Sequence, residues 1–160
     1  MKTAIFAGSF DPVTLGHLDI IKRACLIFDK VIVAVMNNCE KRYLFDLNER
    51  YEMVSLLTNE IPNATAIKYD NLLSKLAYEN DAVIIKAVRS AFDMQNEFEM
   101  YLINKELSNT DTVVLFSDKK YLHISSSFVR EMIKYNHSLK NAVDEKVIKY
   151  INKNLGEKNV

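Results

Sequence analysis

The chain reads as a single doubly wound, Rossmann-like α/β domain: a five-stranded parallel sheet with helices on both faces. Three observations point there. Short apolar runs alternate with stretches of helical spacing, the order a parallel sheet requires. Those runs are continuously apolar, the pattern of strands covered on both faces. The 160 residues contain no repeat, low-complexity tract or linker, so residues 1–160 suit one domain.

Ala4–Ala7 predicts the first buried strand, followed by a loop from Gly8 to Thr14. Leu18, Ile21, Cys25 and Phe28 recur at helical spacing, so a helix begins near Leu15. Val31–Val35 is the second strand, and a polar loop from Asn37 to Phe45 carries Lys41 and Arg42. Asp46 with Glu49 makes a capping box that opens a helix to about Thr58. Ala64–Tyr69 predicts a third, more polar strand, and Leu72, Leu73, Leu76 and Ala77 mark a short helix. Ala82–Ile85 is the fourth strand, with Lys86–Ser90 as the loop after it. A long helix over Asp93–Leu107 and a fifth strand over Thr112–Phe116 follow. Ser125 can cap a helix to Tyr135, and Asp144 another reaching Leu155. These last helices, about 126–155, would pack on the sheet or at a subunit interface.

An apolar content of 49% with 26% charged residues is enough to bury a normal core. Lys plus Arg and Asp plus Glu are both 21, so the formal net charge is zero. Such a chain has no bulk field to attract nucleic acid or an anionic membrane, and any anion must be held by locally placed cations. No apolar stretch approaches a membrane span, and Met1–Ile5 begins no apolar leader, so a cytoplasmic location is expected. Cys25 and Cys39 have neither CxxC nor metal spacing, and no protein-held metal is expected. Of three glycines, Gly8 and Gly16 fall in one stretch with Pro12, which marks unusual backbone or a close approach there.

Open α/β sheets bind ligands beyond the carboxyl ends of their strands. The run Gly8-Ser9-Phe10-Asp11-Pro12-Val13-Thr14-Leu15-Gly16-His17 ends at a helix start, where free N–H groups and the positive dipole end attract phosphate. It is neither a GxxxxGK[ST] loop nor a GxGxxG turn. Lys86 and Arg89 could both face a polyphosphate, or form an ordinary solvated basic pair. Ser125, Ser126 and Ser127 at a helix start could make an anion nest, or simply cap the helix.

Thr14-Leu15-Gly16-His17 resembles the TxGH signature of the nucleotidyltransferase superfamily that includes class I aminoacyl-tRNA synthetases. The longer run GSFDPVTLGH resembles the first motif of bacterial phosphopantetheine adenylyltransferases, and Ile124–Glu131 resembles that family's ISSSxVRE segment. Lys86 and Ala87 stand where the family has Arg and Gly in an RGxR motif. The resemblance implies transfer of AMP from ATP to 4'-phosphopantetheine by direct in-line attack, with Mg²⁺ accompanying ATP. It implies catalytic roles for His17 and Lys41, and acceptor binding by Ser9, Lys41, Leu73 and Lys86. ATP would be held by Ser9, Phe10, His17, Ala87, Val88, Arg89 and Glu99, with Glu97 as the alternative to Glu99. Tyr121, Leu122, His123, Ile124, Ser125, Ser126 and Ser127 would complete that site. A homohexamer and feedback binding of coenzyme A are implied too. A related nucleotidyltransferase with another phosphorylated acceptor, or a non-catalytic nucleotide-binding module, are the competing readings. A tRNA-charging enzyme is disfavoured by length.

Overall fold

The computed structural model describes residues 1–156. Its strands are β1 (Thr3–Gly8), β2 (Lys30–Met36), β3 (Ala64–Tyr69), β4 (Ala82–Val88) and β5 (Thr112–Phe116). Its helices are α1 (Leu15–Ile27), α2 (Leu47–Thr58), α3 (Leu73–Glu79), α4 (Ala91–Ser108), α5 (Ser126–Lys134) and α6 (Glu145–Leu155), with one 3₁₀ turn at Lys119–Tyr121. All five strands are parallel, in the order β3-β2-β1-β4-β5. The direction of winding reverses between β1 and β4, where a doubly wound sheet opens its ligand crevice.

Alternation along the strands divides the core in two. Ala4, Phe6, Val31 and Val33 face α1, α2, α5 and α6, whose Ile21, Met53, Val129 and Val147 are fully buried. Ile5, Ile32, Ala34 and Ile84 face the other way, onto Leu76 and Ala77 of α3. The C-terminal helices spend their apolar stripe inside the chain: α5 buries Val129 and Ile133, and α6 buries Val147 and Ile151. Helix α4 behaves differently. Asn104 is its one buried residue, while Phe92, Phe98, Leu102, Ile103 and Leu107 are at least half exposed.

Two boundaries differ from the sequence reading. Lys86, Ala87 and Val88 are not loop: they pair with Val114, Leu115 and Phe116 as the end of β4. Lys86 interrupts the apolar run, which concealed the continuation. Helix α4 starts at Ala91 rather than Asp93, because the Ser90 hydroxyl accepts the Asp93 N–H and takes the capping position.

The unusual backbone expected around Gly8 and Gly16 falls on Phe10, at φ 49°. Gly8 serves the close approach: a Cβ there would stand 3.1 Å from the Phe10 ring. At Gly16 a Cβ would meet only ordinary contacts at 3.6 Å.

Candidate active site

His17 is the third residue of α1, and the TxGH spacing has a local physical cause. Thr14 is the N-cap, and the His17 N–H donates to its hydroxyl at 3.4 Å. In return the Thr14 N–H donates to His17 Nδ1 at 3.1 Å. This is a capping box with imidazole in the place usually taken by Glu or Gln. A backbone N–H can only donate, so Nδ1 is unprotonated and the neutral ring carries its proton on Nε2. Phe10 packs against the ring in T-shaped geometry, with centroids 5.1 Å apart. Burial lowers the His17 pKa to about 4, and the Arg89 guanidinium adds to the effect.

The imidazole is therefore a neutral hydrogen-bond donor across the physiological range. Its pKa lies below the unfolded value near 6.5, so the unfolded chain binds a proton that the fold excludes. Stability is expected to fall as pH drops through 6.5 toward 4. Urea melts at pH 7.5 and pH 5 check this, with a smaller decline expected in His17→Asn than in the parent chain.

His17 lines a cleft of about 710 Å³ at the carboxyl edge of the sheet, over the β1/β4 junction. Ser9 and Phe10 reach it from the loop after β1, Lys41 from the loop after β2, and Ala87 and Arg89 from the end of β4. Tyr121, Ile124, Ser125, Ser126 and Ser127 close it from the segment after β5. Ser125 also caps α5, its hydroxyl accepting the Phe128 N–H at 3.1 Å. The serine run therefore caps the helix and also borders the cleft. Arg89 is oriented by Asp93, which accepts from its Nε at 3.2 Å and leaves the Nη groups as donors.

Six of the expected residues stand outside the cleft lining. Lys86 is turned to Glu97, its Nζ 2.8 Å from Oε2. Val88 is 1% exposed, within the core. Glu99 is exposed and outside the cleft lining. Asp93, Asn96 and Glu97 line it at helical spacing, so the alternative Glu97, and not Glu99, borders the cleft. Leu73 packs against the α3-side core. Leu122 and His123 are exposed beside the cleft rather than in it.

Three residues given no site role by the sequence reading tie the loops of the site together. The Asp11 carboxylate, 2% exposed, accepts the Leu44 and Phe45 N–H groups, each at 3.0 Å. Arg50, 1% exposed, donates to the carbonyls of Ser9 at 2.7 Å and of Met36 and Phe45 at 3.1 Å. Its guanidinium also lies over the Tyr43 ring, 4.1 Å from the centroid. Arg130 lines the cleft and donates to Asp11 O at 2.7 Å. Arginines at helical positions look solvated in sequence, and only the carbonyls brought together by the fold reveal their use.

Hydroxyls and cations line the cleft, with the Glu40, Asp93 and Glu97 carboxylates along one part of it, and the hydroxyls and cations are a donor set for phosphate. Among the described residues no three His, Cys, Asp or Glu side chains converge to hold a metal. A divalent cation would fit this site as the companion of a bound triphosphate rather than as an ion held by protein side chains.

These features define a doubly wound α/β domain whose cleft, at the switch point of the sheet, presents donors suited to a polyphosphate. The cytidylyltransferase-like family profile matches residues 5–132. A phosphopantetheine adenylyltransferase of Clostridium beijerinckii is 43% identical over 150 residues, covering 92% of this chain and 94% of its own. The protein of that name from Caldanaerobacter subterraneus is 44% identical over 147 residues, covering 91% and 92%. Its counterpart in Clostridium novyi is 40% identical over 159 residues, covering 98% and 99%. The chain belongs to the cytidylyltransferase-like family, in the branch formed by the phosphopantetheine adenylyltransferases.

Proposed function

We propose that this cleft transfers AMP from ATP to 4'-phosphopantetheine by reversible in-line attack, giving dephospho-coenzyme A and pyrophosphate. The protein is a nucleotidyltransferase, and its reaction belongs to coenzyme A biosynthesis. The observation that carries the residue assignment is the convergence of His17, Lys41, Arg89 and the serine run on one cleft. Thr14 Oγ1 lies 3.1 Å from His17 Nδ1, but it is 2% exposed and caps α1, so it presents no nucleophile. Positioning and charge stabilisation are left to do the chemistry.

In this reading an oxygen of the acceptor phosphate bonds to the α-phosphorus of ATP as the bond to the leaving pyrophosphate breaks. His17 Nε2–H and the Lys41 ammonium donate to the α-phosphoryl oxygens as negative charge accumulates. Arg89 and Ser125–Ser127 hold the β- and γ-phosphates. Mg²⁺, when it accompanies ATP, would supply charge neutralisation at the phosphates. Lys86, drawn to Glu97, reaches the acceptor phosphate only by exchanging one anion for another.

The same proposal includes a homohexamer, for which the uncovered apolar residues of α4 offer an interface. It includes coenzyme A as a feedback ligand of the cleft and a cytoplasmic location, which suits two unpaired thiols. Sedimentation of the purified chain tests the assembly, and a monomer at micromolar concentration would count against it.

The reaction is tested by following pyrophosphate release with ATP and 4'-phosphopantetheine, beside other phosphorylated acceptors. Release with 4'-phosphopantetheine alone is expected. Release only with a different acceptor would make this a related nucleotidyltransferase. Lys41→Ala should raise the acceptor KM and lower kcat, each by about tenfold or more, because one charged hydrogen bond contributes about 1.5–3 kcal/mol.

A further inference from the structure

The serine nest and the loop carrying Lys41 lie far apart in sequence, and one guanidinium ties them. Arg130 Nη1 donates to Asp11 O at 2.7 Å and stands 3.5 Å from Asp11 Oδ2. Its Nη2 donates to the Ser127 hydroxyl at 3.1 Å. The two Asp11 carboxylate oxygens accept the N–H groups of Leu44 and Phe45, the last residues of the loop that carries Lys41. A parallel strap runs from the Ser126 hydroxyl to Pro12 O at 2.9 Å. A continuous path therefore leads from Ser127 through Arg130 and Asp11 to the acceptor loop.

We propose that Arg130 is a positioning residue that sets the separation between the Lys41 loop and the Ser125–Ser127 nest. It acts through Asp11 on one side and Ser127 on the other. This rests on the adenylyl-transfer reading of the same cleft. The acceptor phosphate and the α-phosphorus must meet in line, and a misplacement of about 1 Å can cost roughly 10²-fold in rate. Arginine suits the role because its planar fork engages two directions at once, whereas lysine offers a single ammonium on a flexible stem. The Arg130 side chain is 32% exposed, a setting in which an ion pair adds little to folding stability. Its loss should therefore appear in the chemistry more than in the melt.

The test compares Arg130→Lys and Arg130→Gln in kcat, in KM for both substrates and in urea melts. Both variants are expected to lose about tenfold to a hundredfold in kcat, with each KM within about threefold and the midpoint little changed. A loss confined to the KM for ATP and restored by lysine would instead make Arg130 a direct phosphate contact and overturn the proposal. So would a kcat within twofold of the parent in Arg130→Gln. Asp11→Asn combined with Arg130→Gln should lose no more than the worse single variant, because both cut one path. Multiplying losses would contradict the path. Amide exchange at Leu44 and Phe45, measured without any substrate, separates this proposal from the identity of the reaction. It should accelerate at least about tenfold in Arg130→Gln, since the carboxylate that holds both amides is released. Unchanged exchange overturns the proposal even if the enzyme makes dephospho-coenzyme A.

Discussion

His17→Ala is expected to lower kcat on the order of 10²–10³-fold while the affinity for ATP changes by less than about threefold. The asymmetry follows from the geometry. The imidazole is neutral, fixed by the Thr14 N–H and braced by Phe10, so Nε2–H offers one oriented donor. On the proposed reading, ground-state ATP is already held by Arg89, the serine run and the α1 amino terminus. A neutral donor adds little to that binding. It adds much more when charge accumulates at the α-phosphorus, and such an interaction lowers kcat when removed without weakening the ground-state complex. Isothermal titration with ATP and single-turnover pyrophosphate release measure the two quantities separately. A variant that loses ATP affinity in proportion to rate would make His17 an ordinary phosphate ligand. His17→Asn should recover part of the rate, because its amide can still donate toward the cleft.

The second large effect is on folding. Arg50→Ala should destabilise the protein by about 3–5 kcal/mol, the range for removing a buried charged group and stranding its partners. Three backbone carbonyls, those of Ser9, Met36 and Phe45, lose their donor together. Two of them border the loop that carries Lys41, so activity should fall with stability. For a chain of this length the loss corresponds to a melting shift of about 10 °C. Arg50→Lys should recover little, since one ammonium cannot serve carbonyls lying in three directions. Urea melts of both variants check the result. A change under about 1 kcal/mol would mean that water replaces the guanidinium.

The sheet was legible because continuous apolar runs leave few alternatives to strands covered on both faces. Val31–Val35 and Thr112–Phe116 required no tertiary information. Strand order was not legible, since nothing local says that β1 lies between β2 and β4. The last residues of β4 were missed because Lys86 looks like the start of a loop when its carboxylate partner is eleven residues away. The cleft was legible where chemistry is encoded over a few residues, as in Thr14–His17 and Ser125–Ser127. It was illegible where a side chain acts on distant backbone, as Asp11, Arg50 and Arg130 do. Which of Glu97 and Glu99 borders the cleft depends on the face that α4 turns toward it, and tertiary packing sets that face.

The exposed residues of α4 and the folded-in stripes of α5 and α6 also revise where a subunit contact would form. A sequence reading puts the C-terminal helices at either the sheet or an interface. Their buried faces are already satisfied within the chain, whereas α4 leaves Phe92, Phe98 and Leu107 uncovered.

The most direct measurement is a crystal structure with α,β-methylene ATP, which cannot transfer its AMP. The account predicts His17 Nε2 within hydrogen-bond distance of an α-phosphoryl oxygen. Arg89 and Ser125–Ser127 should meet the β- and γ-phosphates, and Lys41 should face the open side of the α-phosphorus. A triphosphate seated elsewhere, or an imidazole turned away from it, would contradict the account.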